Sequence, residues 1–259
     1  MQFRSFAASF LFASGACALL VTIRDADSYR FEFHMAQLAL VPLGIYIGGL
    51  SAVWMHNATH GSFRSPIKNW LAGQIAGIHQ LWGFTGWKLI HLVHHMYSDD
   101  PVHDTHPPRG RTFWQFARAM AIESSAKISQ RYKEHFGDTL QTRMLQRAGA
   151  VMMILMGLAN LSLMFLLLGP AAFVFFYIPS YIANHLLYVD INYSAHPRDE
   201  QGNTAAANLN HTPYYKLANF FWHGIYFHGN HHRKPLLFNP RYMPVSEPRI
   251  QSRLNKMAA

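Results

Sequence analysis

Long uncharged apolar stretches alternate with polar, histidine-rich ones along this chain. Residues 6–23, 36–55, 148–168 and 170–189 are four apolar blocks, each about the length of a helical membrane span. Only Gly169-Pro170 separates the last two, so they predict a tight helical hairpin. The first block starts after Arg4 and could be taken for a signal peptide, but its apolar run is longer than the usual core of such a segment and no small-x-small cleavage site closes it. Residues 70–90 are rich in Gly, Trp and Gln and too polar for a full span, predicting a helix at or dipping into the interface, with Trp82 and Trp87 suited to that depth. Residues 113–147 carry Arg118, Lys127, Arg131, Lys133, Arg143 and Arg147, which reads as an amphipathic helical region with a solvated or lipid-facing basic side. Gly44, Gly48 and Gly49 in the second block predict close helix approach.

The expected fold is therefore all-α: a single domain over residues 1–259 with four transmembrane helices and a helical cap formed by 56–147 and 192–259. Charge orients it. Of 22 Lys and Arg, 11 lie between His56 and Ala148 and 8 after Asn192, while the short 24–34 loop is net acidic. Positive loops stay on the cytoplasmic side, so the cap and both termini are expected there, in a multi-pass protein of a bacterial inner membrane. The net charge of +9 follows from this layout, and no basic stripe with interleaved aromatics stands apart to suggest nucleic acid. The single cysteine, Cys17, excludes a disulfide framework.

The candidate chemistry is imidazole. His91-Leu-Val-His94-His95 and His228-Gly-Asn-His231-His232 place residues i, i+3 and i+4 on one face if helical, and His56 and His60 have the i, i+4 spacing. With 17 histidines, a pair spaced like the last is expected by chance about once, but the five-residue pattern only about 0.07 times, so its repetition is informative. Eight histidines exceed what one tetrahedral zinc needs, and imidazole suits iron, zinc and copper. Asp100 and Asp104, following the central cluster, are either partners that orient metal-bound rings or Asx-turn residues of a solvated loop. Along the fourth block Tyr181, His185, Tyr188, Asn192 and His196 fall at spacings of 4, 3, 4 and 4, one helix face leading to the cap. Such a face marks a cavity, although a histidine at that depth can equally be a structural hydrogen-bonder.

These residues resemble the integral-membrane fatty acid desaturase and hydroxylase superfamily, whose three histidine boxes read HxxxH or HxxxxH, HxxHH and HxxHH. The order, orientation and spacing of the boxes match over nearly the whole chain. His94-His95-Met-Tyr-Ser-Asp-Asp, with Asp104-Thr-His106-Pro, looks like the second-box region of delta-9-type acyl desaturases, and Asn192-Tyr-Ser-Ala-His196 looks like the Asn-x-x-Ala-His segment of stearoyl-CoA desaturases. The resemblance implies two iron ions on His56, His60, His91, His94, His95, His196, His228, His231 and His232, with Asn192 reaching the second metal through water. It implies an O₂-dependent oxidase that introduces a double bond into a fatty acyl chain carried on CoA, acyl carrier protein or lipid. A fatty acid or alkane hydroxylase, or a carotenoid ketolase, shares the scaffold. A membrane metal-binding or transport protein is the reading from another class, disfavoured because neither internal repeats nor charged midplane sites are visible. No haem or flavin fingerprint is present, so ferredoxin, rubredoxin or a cytochrome should supply electrons. Two features depart from the family pattern. Gly61-Ser62-Phe63 after the first box is closer to acyl-lipid desaturases, and Arg233-Lys234-Pro235 follows the third box where Phe-Pro is usual.

Overall fold

The computed structural model describes residues 2–79, 83–108, 110–197 and 205–243, and all regular structure among them is helical. Helix α1 is Gln2–Ile23, α2 Leu40–His60, α3 Pro66–Gly77, α4 Gly83–Met96, α5 Phe113–Phe136 and α6 Leu140–Leu168. Pro170–Ala172 (α7) leads through a π-helical turn, Phe173–Tyr177, into α8, Ile178–Ser194; α9 is Pro213–Phe221 and α10 His228–Arg233. Three helical stretches, Met35–His60, Leu140–Leu168 and Pro170–Ser194, are long and apolar enough to cross a membrane, and Ala7–Ile23 is a shorter apolar helix.

Helix ends fall where local chemistry stops them. Helix α2 continues unbroken through His60 and ends at Gly61, whose φ of 83° is left-handed and nearly free of strain only for glycine. Thr112 and Gln115 form a capping box at the start of α5, and the Thr139 hydroxyl accepts from the Thr142 N–H at the start of α6. The third apolar block thus extends eight residues earlier than its hydropathy indicates, since the polar first turns of α6 project beyond the apolar part. Gly169, with φ 77°, and Pro170 form the expected tight hairpin.

Helices α2 and α8 pack closely. A Cβ at Gly48 would lie 2.1 Å from the Ser180 carbonyl oxygen, and one at Gly44 2.3 Å from that of Phe176. Backbone cannot yield at these contacts as a flexible side chain would. Gly48→Val is therefore expected to cost at least about 3 kcal/mol of stability, read as a lowered thermal midpoint in detergent. Gly149→Val, where nothing lies within 4 Å of the added Cβ, is the control and is expected to leave the midpoint nearly unchanged. An unaltered midpoint in Gly48→Val would refute the packing.

The stretch expected to be one interfacial helix is two. Helices α3 and α4 form a pair packed among the long helices. The Tyr177 hydroxyl donates to the Ile78 carbonyl at 2.9 Å, Gln74 Nε2 donates to Ser9 Oγ at 2.6 Å, and Gly83 abuts Met156 of α6. Phe84 fills the space left by Gly73 and Gly77, which is why this segment is rich in glycine. Trp87 is accordingly buried and stacked on His91, not an interfacial anchor, and Trp82 lies outside the described residues, as does the tail from 244. Below the histidines an apolar core joins Val53, Met55, Phe84, Trp87, Leu187 and Ile191.

Candidate metal centre

Four backbone segments carry the histidines inward. Helix α2 ends on His56 and His60, α4 on His91, His94 and His95, and α10 consists largely of His228, His231 and His232. His196 sits in the bend just after α8, so the face running from Tyr181 reaches it only by leaving the helix. Six residues are too few to hold a helix by themselves, and side-chain amides fasten α10 instead. Asn230 Nδ2 donates to the Pro240 carbonyl at 3.0 Å, and the Asn230 N–H donates to Asn208 Oδ1 at 2.9 Å.

The ring nitrogens gather into two groups. His56, His60, His91, His95 and His231 form one, and His94, His196, His228 and His232 the other; within each, one nitrogen per residue lies within 4.8 Å of the rest. Nε2 atoms meet in pairs: His60 with His91 and His95 with His231 at 2.9 Å, and His228 with His196 and with His232 at 3.1 Å. A metal–nitrogen bond of about 2.1 Å gives nitrogen edges of about 3.0 Å at right angles and about 3.4 Å in a tetrahedron. The observed pairs match the right-angled arrangement. His94 Nε2 and the ring nitrogens of His56 are buried without a hydrogen-bond partner, as expected where one lone pair per ring is reserved for an ion. Burial, then repulsion among neighbouring imidazoles, holds His91, His228, His231 and His232 well below the usual histidine pKa and takes His95 to about 2. Neutral imidazole is the form that binds metal. The donor set therefore fits metal ions in both groups.

Carboxylates fix the tautomers. Asp104, fully buried, receives His94 Nδ1 at 2.9 and 3.0 Å, and Asp99 receives His196 Nδ1 at 2.9 Å, leaving both Nε2 atoms directed at the second group. Burial alone would raise Asp104, yet the His94 ring and nearby N–H groups hold its carboxyl well below the usual range. Of the two candidate carboxylates, Asp100 is the loop residue. It accepts the Val102 and His103 N–H groups at 2.8 Å on the surface and touches no residue of either group. Sequence reasoning passed over Asp99, whose only signal was its place in the Ser-Asp-Asp run. It also gave no role to His106, which stacks on His94 with centroids 4.6 Å apart while its Nδ1 pairs with Thr105 Oγ1 at 2.7 Å. The basic side of α5 is partly committed: Lys127 Nζ donates to the Asp104 carbonyl at 2.8 Å and Arg131 to that of His103 at 3.1 Å, clamping the loop.

Beside the first group opens a cavity of about 130 Å³, bounded by Trp87, His91, His106, Tyr181, His185 and Asn192. Tyr188 also lines it, while its hydroxyl donates to the Ala52 carbonyl and braces α8 on α2. Asn192 is buried, with Nδ2 donating to the Tyr188 carbonyl at 2.8 Å and Oδ1 without a partner.

Long apolar helices bearing buried histidine groups that could hold metal ions define a class of membrane protein. Within it, the family model for fatty acid desaturase matches residues 33–252, and the chain belongs to that family. Neither the curated proteins nor the solved structures compared with it yield a match. Membership makes it a membrane protein of a superfamily of oxidoreductases known for binding two irons, and implies a fatty acyl substrate and membrane lipid around it.

Proposed function

We propose that this protein is a fatty acyl desaturase with two iron ions, one in each histidine group, and with Asn192 reaching the second through water. The reading is carried by one observation: nine buried or half-buried histidines divide into adjoining groups of five and four, and the first borders a cavity that extends along α8. The overall change is R–CH₂–CH₂–R′ + O₂ + 2e⁻ + 2H⁺ → R–CH=CH–R′ + 2H₂O. Two irons with O₂ supply the oxidising strength that removing hydrogen from an unactivated methylene requires, which no side chain possesses. The protein's own residues bind and orient. Asp104 and Asp99 hold the protons of His94 and His196 at Nδ1 and so keep each Nε2 lone pair available. Trp87 and Tyr188 pack beneath the first group and keep bulk water from that side. Tyr181 and His185 border the cavity deeper along α8, where an acyl chain entering from the membrane would pass them.

In this reading α1 completes a set of four spans, and α3 to α5 with α9 and α10 form a cytoplasmic cap in a bacterial inner membrane, as the distribution of Lys and Arg supports. The acyl chain arrives on CoA, acyl carrier protein or lipid, and ferredoxin, rubredoxin or a cytochrome provides the electrons. The test is gas chromatography–mass spectrometry of total fatty acids from a bacterial host with and without the gene. A new alkene, its position fixed by derivatisation, is expected. A hydroxy acid would reassign the enzyme as a hydroxylase, and unchanged lipids despite a co-expressed electron donor would overturn the fatty acyl substrate.

A further inference from the structure

The cavity beside the first histidine group is more polar than a hydrocarbon chain requires. Ile90, Met120 and Ala121 give it apolar wall, and two of its hydroxyls are already bonded: Ser124 donates to the Met120 carbonyl at 3.0 Å, and Tyr188 to that of Ala52. Tyr181 and His185 differ. Both line the cavity near the middle of the Pro170–Ser194 stretch, and neither makes a hydrogen bond among the described residues. Other polar side chains at this depth of α8 are engaged, as with Tyr177 on the Ile78 carbonyl at 2.9 Å and Asn184 on Ser51 Oγ at 3.0 Å. A polar group held in an apolar span without a partner is costly, and one that faces a cavity marks what the cavity takes up. His185 is therefore not the structural hydrogen-bonder that its depth allows.

The two side chains stand one helical turn apart on one face of α8. A phenol donates one hydrogen bond and accepts others, and a neutral imidazole carries one N–H and one lone pair. Together they can both give to and receive from a hydroxyl, or give twice to a keto oxygen. A methylene chain satisfies neither. Asn192 and His91 mark the end of the cavity at the metal centre. Helix α8 is continuous from His185 to Asn192, which spaces them about 10 Å along its axis. An extended chain advances roughly 1.2 Å per bond, so about eight bonds separate the two ends.

We propose that the cavity selects a lipid chain that already carries oxygen, with Tyr181 and His185 holding its hydroxyl or keto group about eight bonds from the carbons presented to the metal centre. The inference rests on the desaturase reading for what happens at that centre. The held oxygen keeps all its bonds, so the overall balance is the one written above. Tyr181 and His185 set which chain is accepted and at what depth it stops.

Binding is measured without turnover, on the full chain in nanodiscs of phosphatidylcholine. The probes are radiolabelled octadecanoic acid and 18-hydroxyoctadecanoic acid, since a chain of that length held at its middle puts its last carbon about eight bonds away. The quantity read is the ratio of their two Kd values, compared between proteins so that unequal partition into lipid cancels. Tyr181→Phe/His185→Leu is expected to shift this ratio at least about tenfold against the hydroxy acid, because the wild-type site leaves two polar groups unpaired when the plain chain binds. The double variant should bind octadecanoic acid at least as tightly as the wild type, which also reports an intact cavity. His185→Gln, which keeps a donor and an acceptor, should retain most of the wild-type preference. An unchanged ratio in the double variant would overturn the proposal and leave the two side chains to water. Should the double variant bind neither probe, Tyr181→Phe alone, which removes one oxygen, decides by the same ratio. Host lipids report on the desaturase reading separately. Selective binding with no new alkene would refute that reading alone, and a new alkene without selective binding would refute this inference alone.

Discussion

Replacing His94 with alanine is expected to abolish turnover and to lower iron from about two to about one per chain. His94 is completely buried and belongs to the second group, and its Nε2 has no other partner. Its ring lies 5.1 Å from that of His196 and 5.6 Å from that of His232, so its loss leaves that group with three histidines. Replacing a residue that merely orients a ligand typically costs 10–100-fold in affinity or activity, and removing a ligand should cost more, here at least about a thousandfold in rate. A second penalty is structural. Asp104 would keep its buried carboxylate without the imidazole N–H, and a buried polar group deprived of a hydrogen-bond partner costs about 1–3 kcal/mol. Measurement of iron per chain, alongside O₂ consumption with a chemical reductant, separates the two effects. Retention of two irons and full activity would remove His94 from the centre and with it the division into five and four.

Much of this was legible because helices write their faces into sequence at fixed intervals. The spacing within His91–His95 and His228–His232 is helical, and both segments are helices that turn those rings together. Gly44 and Gly48 pointed to a close helix approach without naming the partner, which is Phe176 of the π-helical turn for the first and Ser180 of α8 for the second. Irregular segments carry no such period. Nothing local distinguishes Asp99, which holds His196, from Asp100, which caps a turn, because the direction of each side chain is set by a loop with Asp99 at φ 66°. The break between α3 and α4 was hidden for a related reason. Its glycines and aromatics suit an interfacial helix by composition, and only the partners Ser9, Met156 and Tyr177, distant in sequence, show that the pair inserts. His196 lay beyond what periodicity alone decides, since its spacing continues a helix that in fact ends at Ser194.

Asp104→Asn is expected to weaken metal binding in the second group about 10–100-fold while the first group retains its ion. The carboxylate is an acceptor on every side: Oδ1 takes the His106 N–H at 3.0 Å, Oδ2 the Asp99 N–H at 2.8 Å, and both face His94 Nδ1. An amide supplies one oxygen in place of two, so at least one of these N–H groups would point at an NH₂. A buried donor left without an acceptor costs about 1–3 kcal/mol, and His94 can avoid that clash by moving its proton to Nε2, the nitrogen the centre needs unprotonated. The charge is lost as well, and with it the electrostatic support for a basic His94. Competitive titration of the iron against a chelator should show one site shifted and one unchanged. Asp100→Asn, four residues away and touching only the loop, is expected to change neither site by more than about twofold. An equal loss in both variants would mean that the integrity of the 99–106 loop, and not the carboxylate behind His94, governs the second ion.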